Sequence, residues 1–396
     1  MKRRIFASPW LLVLLLLVLM ALRPMATPDE GRYAEVGRWM WVSGDWLVQR
    51  LNSLPFFHKP PLLYWLEASA FAALGASVWV ARLVIALHAC VMMGLMWACA
   101  RAWAGPQVAH RAAWVLGSSA AFLIGGQYIN HDMMVATWIG VAIGCFARAL
   151  LHASDAAPEA ATTSVHAGWA RAGFVACALG VLSKGLIGVL LPGWVLVLWI
   201  TWTRQWRKVW ALPWFSGVLM FVVLSVPWFV WAERAQPGML AYLFGTHQFG
   251  RFGATSFNNG QPIWFYAVAL LVLLFPWALW LVADAWQRVL AWRPRARGAL
   301  ETPHWVSLCW IWIVAILGFF SIPHSKLIGY ALPVMPAAAM LVAHYWQVHL
   351  TPRRWSGSVF AALVCASVAL VVGVQVAVSD VIERNSSAVI AQALRV

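Results

Sequence analysis

Adjacent acids and a nearby base occur in the stretch that follows the first apolar segment. Asp29 and Glu30 are neighbours, and Arg32 lies about one helical turn along. Two carboxylates beside a guanidinium can orient an acceptor hydroxyl and accept its proton. A structural alternative is a helix capped by Thr27 or Asp29, with Pro28 in its first turn and acids facing solvent.

A third acid, Asp132, follows Asn130 and His131 at the start of another apolar segment. Capping of the helix that begins there is the simplest explanation for Asp132. A catalytic role requires that Asp132 meets Asp29 in space.

Two lysines occur in surroundings that suit an anionic ligand. Lys59 stands between aromatic residues and the Pro60-Pro61 corner, so its charge is held near headgroup level, where it suits a phosphate. Snorkelling to the interface is the structural alternative. Lys184 lies within a nearly unbroken apolar stretch, where a charge costs a few kcal/mol unless it snorkels or pairs.

Two later stretches add bases beside glycine or aromatic residues, namely Arg251 after His247-Gln248 and Lys326 a few residues before Tyr330. With Lys59 and Lys184, Arg251 and Lys326 make a cage suited to an anionic headgroup. A divalent metal is a weaker hypothesis: four histidines lie near acids, but none has ligand spacing within one helix. They are His58, His131, His247 and His324.

The elements that position these residues are membrane helices. Of 396 residues, 63% are apolar and only 10% are charged, too little polar surface for a soluble globule. The apolar runs are continuous rather than alternating, which predicts helices and excludes a barrel. The basic residues are dispersed, so the net charge of +15 reflects membrane orientation and not nucleic-acid binding.

The sequence therefore predicts an all-α polytopic membrane protein. The apolar runs indicate about eleven spans, at roughly 6–22, 78–100, 112–128, 133–151, 172–185, 187–203, 211–232, 263–286, 305–322, 329–348 and 357–378. We interpret the basic N-terminus and the first span as a retained signal anchor. The six cysteines all lie in apolar stretches and are expected to be buried hydrophobes.

With a cytoplasmic N-terminus, most of the 28 Lys and Arg fall on the cytoplasmic face and most of the 13 acids fall outside. External loops 23–77 and 233–262 are too long for simple connectors, so we expect them to form the active-site face. Within the first, the amphipathic stretch 29–43 predicts an interfacial helix. Residues 1–380 are expected to form one domain, followed by a short external tail, 381–396, without a large soluble C-terminal domain.

Several motifs occur in an order that resembles the lipid A aminoarabinose transferase branch of the protein mannosyltransferase-like glycosyltransferases. The match runs over most of residues 20 to 340. The motifs are Pro28-Asp29-Glu30-Gly31-Arg32-Tyr33-Ala34-Glu35, Ser43-Gly44-Asp45-Trp46-Leu47, Lys59-Pro60-Pro61-Leu62, His131-Asp132, Ser183-Lys184-Gly185 and Ser325-Lys326-Leu327 through Tyr330. Each motif alone is weak, whereas the ordered set is specific.

The resemblance implies a GT-C fold in a bacterial inner membrane, with the active site facing the periplasm. Such enzymes take a sugar from an undecaprenyl phosphate or similar carrier, with inversion, and pass it to lipid A, another lipid-linked glycan or a protein. It implies an acid at the reacting centre, Asp29 with Glu30 beside it, and support of the acceptor side by Asp132. The carrier phosphate would be held by Arg32, Tyr33, Lys59, Lys184, Arg251, Lys326 and Tyr330.

The sequence departs from the branch at its metal positions. His58 stands before Lys59 where a Glu is usual, and His247-Gln248 stands where the branch has a Glu-His pair. His58 and His247 are therefore the metal candidates, and no cofactor is required by the chemistry. A transporter of an anionic or lipid-linked substrate is the main alternative, but transporters carry charges across mid-membrane helices. A non-catalytic membrane scaffold or binding protein is the other.

Overall fold

The computed structural model describes residues 8–26, 28–151, 165–249, 260–291 and 303–384. Its α-helices are α1 (Leu11–Leu22), α2 (Asp29–Ser43), α3 (Leu62–Leu74), α4 (Val78–Ala104), α5 (Pro106–Gly117), α6 (Ala120–Leu123), α7 (His131–Leu150), α8 (Ala167–Lys184), α9 (Ile187–Thr203), α10 (Trp206–Trp210), α11 (Trp214–Ala235), α12 (Phe265–Leu273), α13 (Ala278–Ala291), α14 (His304–Ser321), α15 (Met335–Tyr345) and α16 (Ser356–Arg384). Short 3₁₀ helices occupy Gly125–Gln127 and Ile328–Val334, and π-helical turns occupy Ala241–Phe249 and Trp346–Leu350.

Helices dominate the described residues, which confirms the predicted all-α membrane architecture. Within those residues, six helical segments are long and apolar enough to cross a bilayer. They are Val78–Ala104, His131–Leu150, Trp214–Ala235, His304–Ser321, Ile328–Leu350 and Ser356–Ser379. Shorter apolar helices include α1, α3 and α9. The number of eleven spans stays a prediction.

Two segments predicted as single spans are interrupted. The stretch 112–128 divides at Ser118 and Ser119, whose hydroxyls donate to backbone carbonyls of the preceding turn, at 2.7 and 2.6 Å. Ser119 also caps α6 by accepting from Phe122 N. The stretch 263–286 divides between α12 and α13, where Pro276 has no backbone N–H to continue a helix. Apolar composition alone does not reveal such breaks, because serine and proline are tolerated in membrane helices.

The centre of the bundle is α7, which is buried along nearly its whole length. It packs most extensively against α8 and also against α4, α9 and the 3₁₀ helix 328–334. Helices α8 and α9 approach closely because Gly180 faces Gly188: a Cβ on Gly180 would stand 2.9 Å from Gly188 Cα. The chain turns between these helices at Gly185, which has a φ of +92°. This turn places Lys184 at the end of α8, beside the start of α7.

The first external loop is a compact unit of two helices and a hairpin. The predicted helix 29–43 is present as α2, and it packs along α3. Between them, Arg50–Leu51 (β1) and Leu54–Pro55 (β2) form an antiparallel pair. Trp65 Nε1 of α3 donates to Trp46 O at 2.8 Å and ties the connecting loop to the helix. The loop therefore has a fixed shape that can hold a site.

Candidate active site

The first turn of α2 carries the Asp29–Arg32 ion pair, one turn apart on the helix. Both side chains are partly exposed, 39% for Asp29 and 32% for Arg32. Pro28 precedes the helix, and no described side chain caps it. The expected cap by Asp29 is therefore wrong, because its carboxylate turns to the guanidinium of Arg32. The other expected cap, Thr27, lies outside the described residues.

Tyr33 joins this pair to the rest of the site. The guanidinium of Arg32 lies 5.0 Å from the centroid of the Tyr33 ring. Burial raises the pKa of Tyr33, Arg32 and Lys184 oppose that rise, and Asp29 and Asp132 add to it. Tyr33 therefore lies within electrostatic reach of both acids and both cations, and it stays protonated at neutral pH.

The second half of the site lies where α7 begins. Asn130 caps α7 by accepting from Asp132 N at 2.8 Å, so the cap predicted at Asp132 is wrong and the cap is Asn130. The Asp132 carboxylate is instead paired with Lys184. Gly329 backs directly onto this carboxylate and leaves no room for a side chain. The Asp132–Lys184 pair is nearly buried, and the Lys184 ammonium lies 4.4 Å from the Tyr330 ring centroid.

His131 connects the two halves. Its ring stands edge-on to Tyr33 and Tyr64, with centroids 4.9 and 5.4 Å away. Three cations act electrostatically on this imidazole, namely Lys59, Lys184 and Arg32. The fold thus brings together residues that the sequence separates by more than 150 positions. Of the predicted phosphate-binding set, Arg32, Tyr33, Lys59, Lys184 and Tyr330 all lie around this point.

Glu30 has different surroundings from its neighbour Asp29. It is fully buried, and Arg23 grips its carboxylate with two hydrogen bonds of 2.5 and 2.8 Å. Arg82 adds bonds of 3.3 and 3.0 Å, and the backbone amides of Ala26 and Ile129 donate at 2.8 and 3.1 Å. Burial alone would raise the pKa of Glu30, but the two guanidiniums outweigh it and hold the pKa below its ordinary value.

Arg23 and Arg82 hold Glu30 in place but are not among the residues predicted from the sequence. Arg82 lies five residues into a predicted span, and an ionisable residue inside a membrane segment is a candidate for function or pairing. That signal was present in the sequence. The partner was not identifiable, because Glu30 is 52 positions away.

One other predicted cation, Lys326, has contacts of its own away from the cluster. Lys326 is buried and donates to the carbonyls of Gln261 and Pro323, at 2.8 and 2.7 Å. It therefore binds the end of the second external loop to the segment that follows α14. Its predicted role in phosphate binding is not the one its contacts favour. Arg251 lies outside the described residues.

The metal candidates have other partners or lie outside the described side chains. The His58 ring stacks on Phe56 with centroids 4.1 Å apart and lies 6.0 Å from Tyr242. The side chain of His247 is not among those described. Within the described residues, no group of three or more His, Cys, Asp or Glu side chains is arranged to hold a metal ion.

This chain has the helical membrane fold of the GT-C glycosyltransferases. It belongs to the dolichyl-phosphate-mannose-protein mannosyltransferase family, whose model matches residues 5–243. Its relatives are bacterial and its helices are apolar, so it is a multi-pass inner-membrane protein. The predicted fold class and family are therefore confirmed.

Curated relatives are named undecaprenyl phosphate-alpha-4-amino-4-deoxy-L-arabinose arabinosyl transferases. One from Erwinia tasmaniensis is 30% identical over 336 residues, 83% of this chain and 57% of that protein. Another from Pseudomonas paraeruginosa is 29% identical over 353 residues, 87% of this chain and 60% of that protein. The chain thus spans less than two thirds of these relatives' length.

Among solved structures, ArnT from Cupriavidus metallidurans bound to undecaprenyl phosphate matches with a TM-score of 0.77 and 31% identity. The match covers 91% of this chain and 64% of ArnT. The Archaeoglobus fulgidus oligosaccharyltransferase matches with a TM-score of 0.54 at 14% identity, covering 94% of this chain and 54% of that protein. The second likeness is one of fold alone.

Proposed function

We propose that this protein transfers a sugar from a polyprenyl-phosphate carrier to an acceptor at the periplasmic membrane surface. One observation carries the proposal: the Asp29–Arg32 pair on α2 and the Asp132–Lys184 pair both lie within electrostatic reach of Tyr33. A partly exposed acid beside several fixed cations suits a reaction in which an acceptor loses a proton and a phosphate leaves.

In the proposed reaction, Asp29 accepts the proton of the acceptor hydroxyl. The acceptor oxygen attacks the anomeric carbon from the face opposite the carrier, and the bond from that carbon to the phosphate oxygen breaks. The bonding electrons remain on the phosphate oxygen. Because the acceptor attacks the face opposite the leaving phosphate, the product has inverted configuration. Arg32, Lys59 and Lys184 stabilise the charge that develops on the leaving phosphate. Tyr33 and Tyr330 line the same site, and Arg251 stays a predicted member of it.

The two other acids have positioning roles in this scheme. Glu30 fixes the start of α2 against the segment that precedes α7, because it binds Ile129 N as well as two arginines. Asp132 holds the ammonium of Lys184 in place. We therefore assign proton transfer to Asp29, the partly exposed acid, and positioning roles to Glu30 and Asp132.

The proposed orientation of the chain in the membrane follows from the distribution of its basic and acidic residues. A cytoplasmic N-terminus places the short basic connections, such as 204–208 and 353–354, inside and the acid-bearing first loop outside. The active site then faces the periplasm, where α2 and α3 lie along the interface.

The first donor to test is the one named for the relatives, undecaprenyl phosphate-linked 4-amino-4-deoxy-L-arabinose. Candidate acceptors are lipid A, another lipid-linked glycan or a protein. The proposed steps use protein side chains and involve no nucleotide or metal. We therefore expect transfer to continue in the presence of a chelator, in an assay with the purified protein.

The test of the function is a matched pair of substitutions on α2. Asp29→Asn removes the proposed base and is expected to lower transfer by at least about a hundredfold while the protein stays folded. Glu35→Gln is the control, because Glu35 pairs with Arg38 in the same spacing and with similar exposure, away from the site. Full transfer by Asp29→Asn would contradict the assignment. Uptake of a lipid-linked substrate without transfer would favour the transporter alternative.

A further inference from the structure

Helix α16, at the edge of the bundle, is linked toward the site by a partly buried polar side chain, Gln375. Most of its described surface is exposed and apolar, so Gln375 is an uncommon residue there. In hydrocarbon, an amide side chain must find a partner. Gln375 finds it in Gln127, since each side-chain amide donates to the other's oxygen, at 3.2 and 3.1 Å.

This amide pair continues into the cluster around Glu30. The Gln127 side-chain oxygen accepts from Arg23 Nε at 3.3 Å, and its backbone carbonyl accepts from the same guanidinium at 3.2 Å. Arg23 in turn grips Glu30 through two hydrogen bonds. An unbroken chain of hydrogen bonds therefore runs from Gln375 through Gln127 and Arg23 to Glu30.

Glu30 is where this chain reaches both halves of the site. It lies next to Asp29 at the start of α2, and its carboxylate accepts from Ile129 N, three residues before Asp132. A shift of Arg23 would move the carboxylate that fixes these two helix starts relative to each other. The bond from Gln375 to Leu19 O, at 3.2 Å, also holds the end of α1, from which Arg23 follows.

We infer that Gln375 and Gln127 are positioning residues for the proposed transferase site. They set the distance between the acid on α2 and the paired lysine beside α7, although neither touches the substrate. Only the activity measurement of this inference depends on the proposed function. The structural effect on α2 is measurable without any substrate.

The experiment compares two α16 substitutions in the full-length protein. Gln375→Leu removes the link to Gln127 and keeps the helix apolar. Ser367→Ala is the matched control, because the Ser367 hydroxyl also bonds across the bundle, to Ser118 O at 2.6 Å, but not to the Glu30 cluster. For Gln375→Leu we expect kcat to fall roughly threefold to tenfold, with KM within about twofold of wild type.

Hydrogen exchange provides the second measurement. Gln375→Leu is expected to speed exchange in the first turns of α2, whereas Ser367→Ala leaves that exchange unchanged. Adding Gln375→Leu to Gln127→Leu is expected to cause less than the sum of the two single losses, because the link between the two amides is already cut and only the bond to Leu19 O remains to be lost. If Gln375→Leu does not fold, Gln375→Asn, which keeps the amide but shortens its reach, replaces it.

Unchanged kcat and unchanged α2 exchange in Gln375→Leu would overturn the inference. Equal losses in Gln375→Leu and Ser367→Ala would also overturn it, because they would reflect general docking of α16. If the wild-type protein transfers no sugar, the proposed function fails, and the exchange measurement alone decides whether Gln375 positions α2.

Discussion

Two neighbouring carboxylates, Asp29 and Glu30, illustrate how strongly surroundings decide a residue's role. They occupy adjacent positions of one helical turn, so they point about 100° apart around the axis of α2. Asp29 faces outward and pairs with Arg32, while Glu30 faces the bundle between Arg23 and Arg82. The sequence identified the acidic pair but could not distinguish the two residues, because the orientation of α2 depends on tertiary packing.

The buried Asp132–Lys184 pair yields a stability prediction. Lys184→Met leaves the Asp132 carboxylate buried without its partner, so we expect a loss of roughly 3–5 kcal/mol of stability. The double variant with Asp132→Asn should recover part of that loss. Thermal unfolding in detergent provides the measurement. Arg38→Met, which breaks the exposed pair with Glu35, is the control and should cost less than about 1 kcal/mol.

The carboxyl of Glu67 yields a prediction of pH dependence. It is fully buried on α3, and neither oxygen has a hydrogen-bond partner among the described residues. Burial raises the pKa of Glu67 well above its ordinary 4.5, so the folded protein keeps a proton that the unfolded chain releases. Stability from this group is present below about pH 4.5 and is lost as the pH rises toward the folded-state pKa.

Glu67→Gln keeps the shape of this side chain and removes its titration. Its unfolding temperature is therefore expected to exceed that of wild type by a margin that grows as the pH rises from 5 to 8. A margin that is constant with pH would contradict the predicted protonation of Glu67.

At the scale of elements, the position of α2 on α3 depends on a close approach at Gly37. A Cβ there would stand 2.7 Å from both Glu67 Cβ and its carboxylate oxygen Oε2. We expect Gly37→Ala to destabilise the protein by roughly 1–3 kcal/mol through overpacking. Gly31 on the same helix has no atom within 4 Å of such a Cβ, so Gly31→Ala should be neutral or stabilising by up to about 1 kcal/mol. The unfolding temperatures of the two variants test this prediction, and an equal effect of both substitutions would contradict it.

The sequence predicted helix boundaries best where a long apolar run was the dominant feature. The ranges of α4, α7 and α9 agree with the predicted spans within a few residues, because long apolar runs have one stable conformation in lipid. The breaks at Ser118 and Pro276 were missed, since hydroxyls and neighbouring helices satisfy the freed backbone groups only in the folded bundle.

Within the site, Lys184 was predictable as an unusual charge in an apolar run. Its partner Asp132 was not, because the pairing depends on the packing of α7 against α8. Arg23, Gln127 and Gln375 gave no sequence signal of their own role. Each of them acts through a hydrogen bond to a residue more than 100 positions away in the sequence.

At the scale of the whole molecule, charge and exposure together predict an orientation. Leu54, at the tip of the hairpin in the first loop, is 70% exposed, and Arg207 is exposed on the short helix α10. In a background with Cys365→Ser, we expect a membrane-impermeant maleimide to label Leu54→Cys in spheroplasts. Arg207→Cys should react only after the membrane is opened. The reverse pattern would show that the active site faces the cytoplasm.

The carbonyl groups at the C-terminal end of α1 are hydrogen-bonded by a side chain of another helix. Arg82 of α4 donates to the carbonyls of Met20, Arg23 and Pro24, at 2.8, 2.7 and 2.9 Å, and so satisfies groups that the helix end leaves unpaired. The same guanidinium holds Glu30. Protein engineers who exchange α1 for an unrelated leader helix would preserve insertion into the membrane. One residue of difference in length, however, would displace the guanidinium's carbonyl partners and misalign the turn of α2 that carries the proposed base.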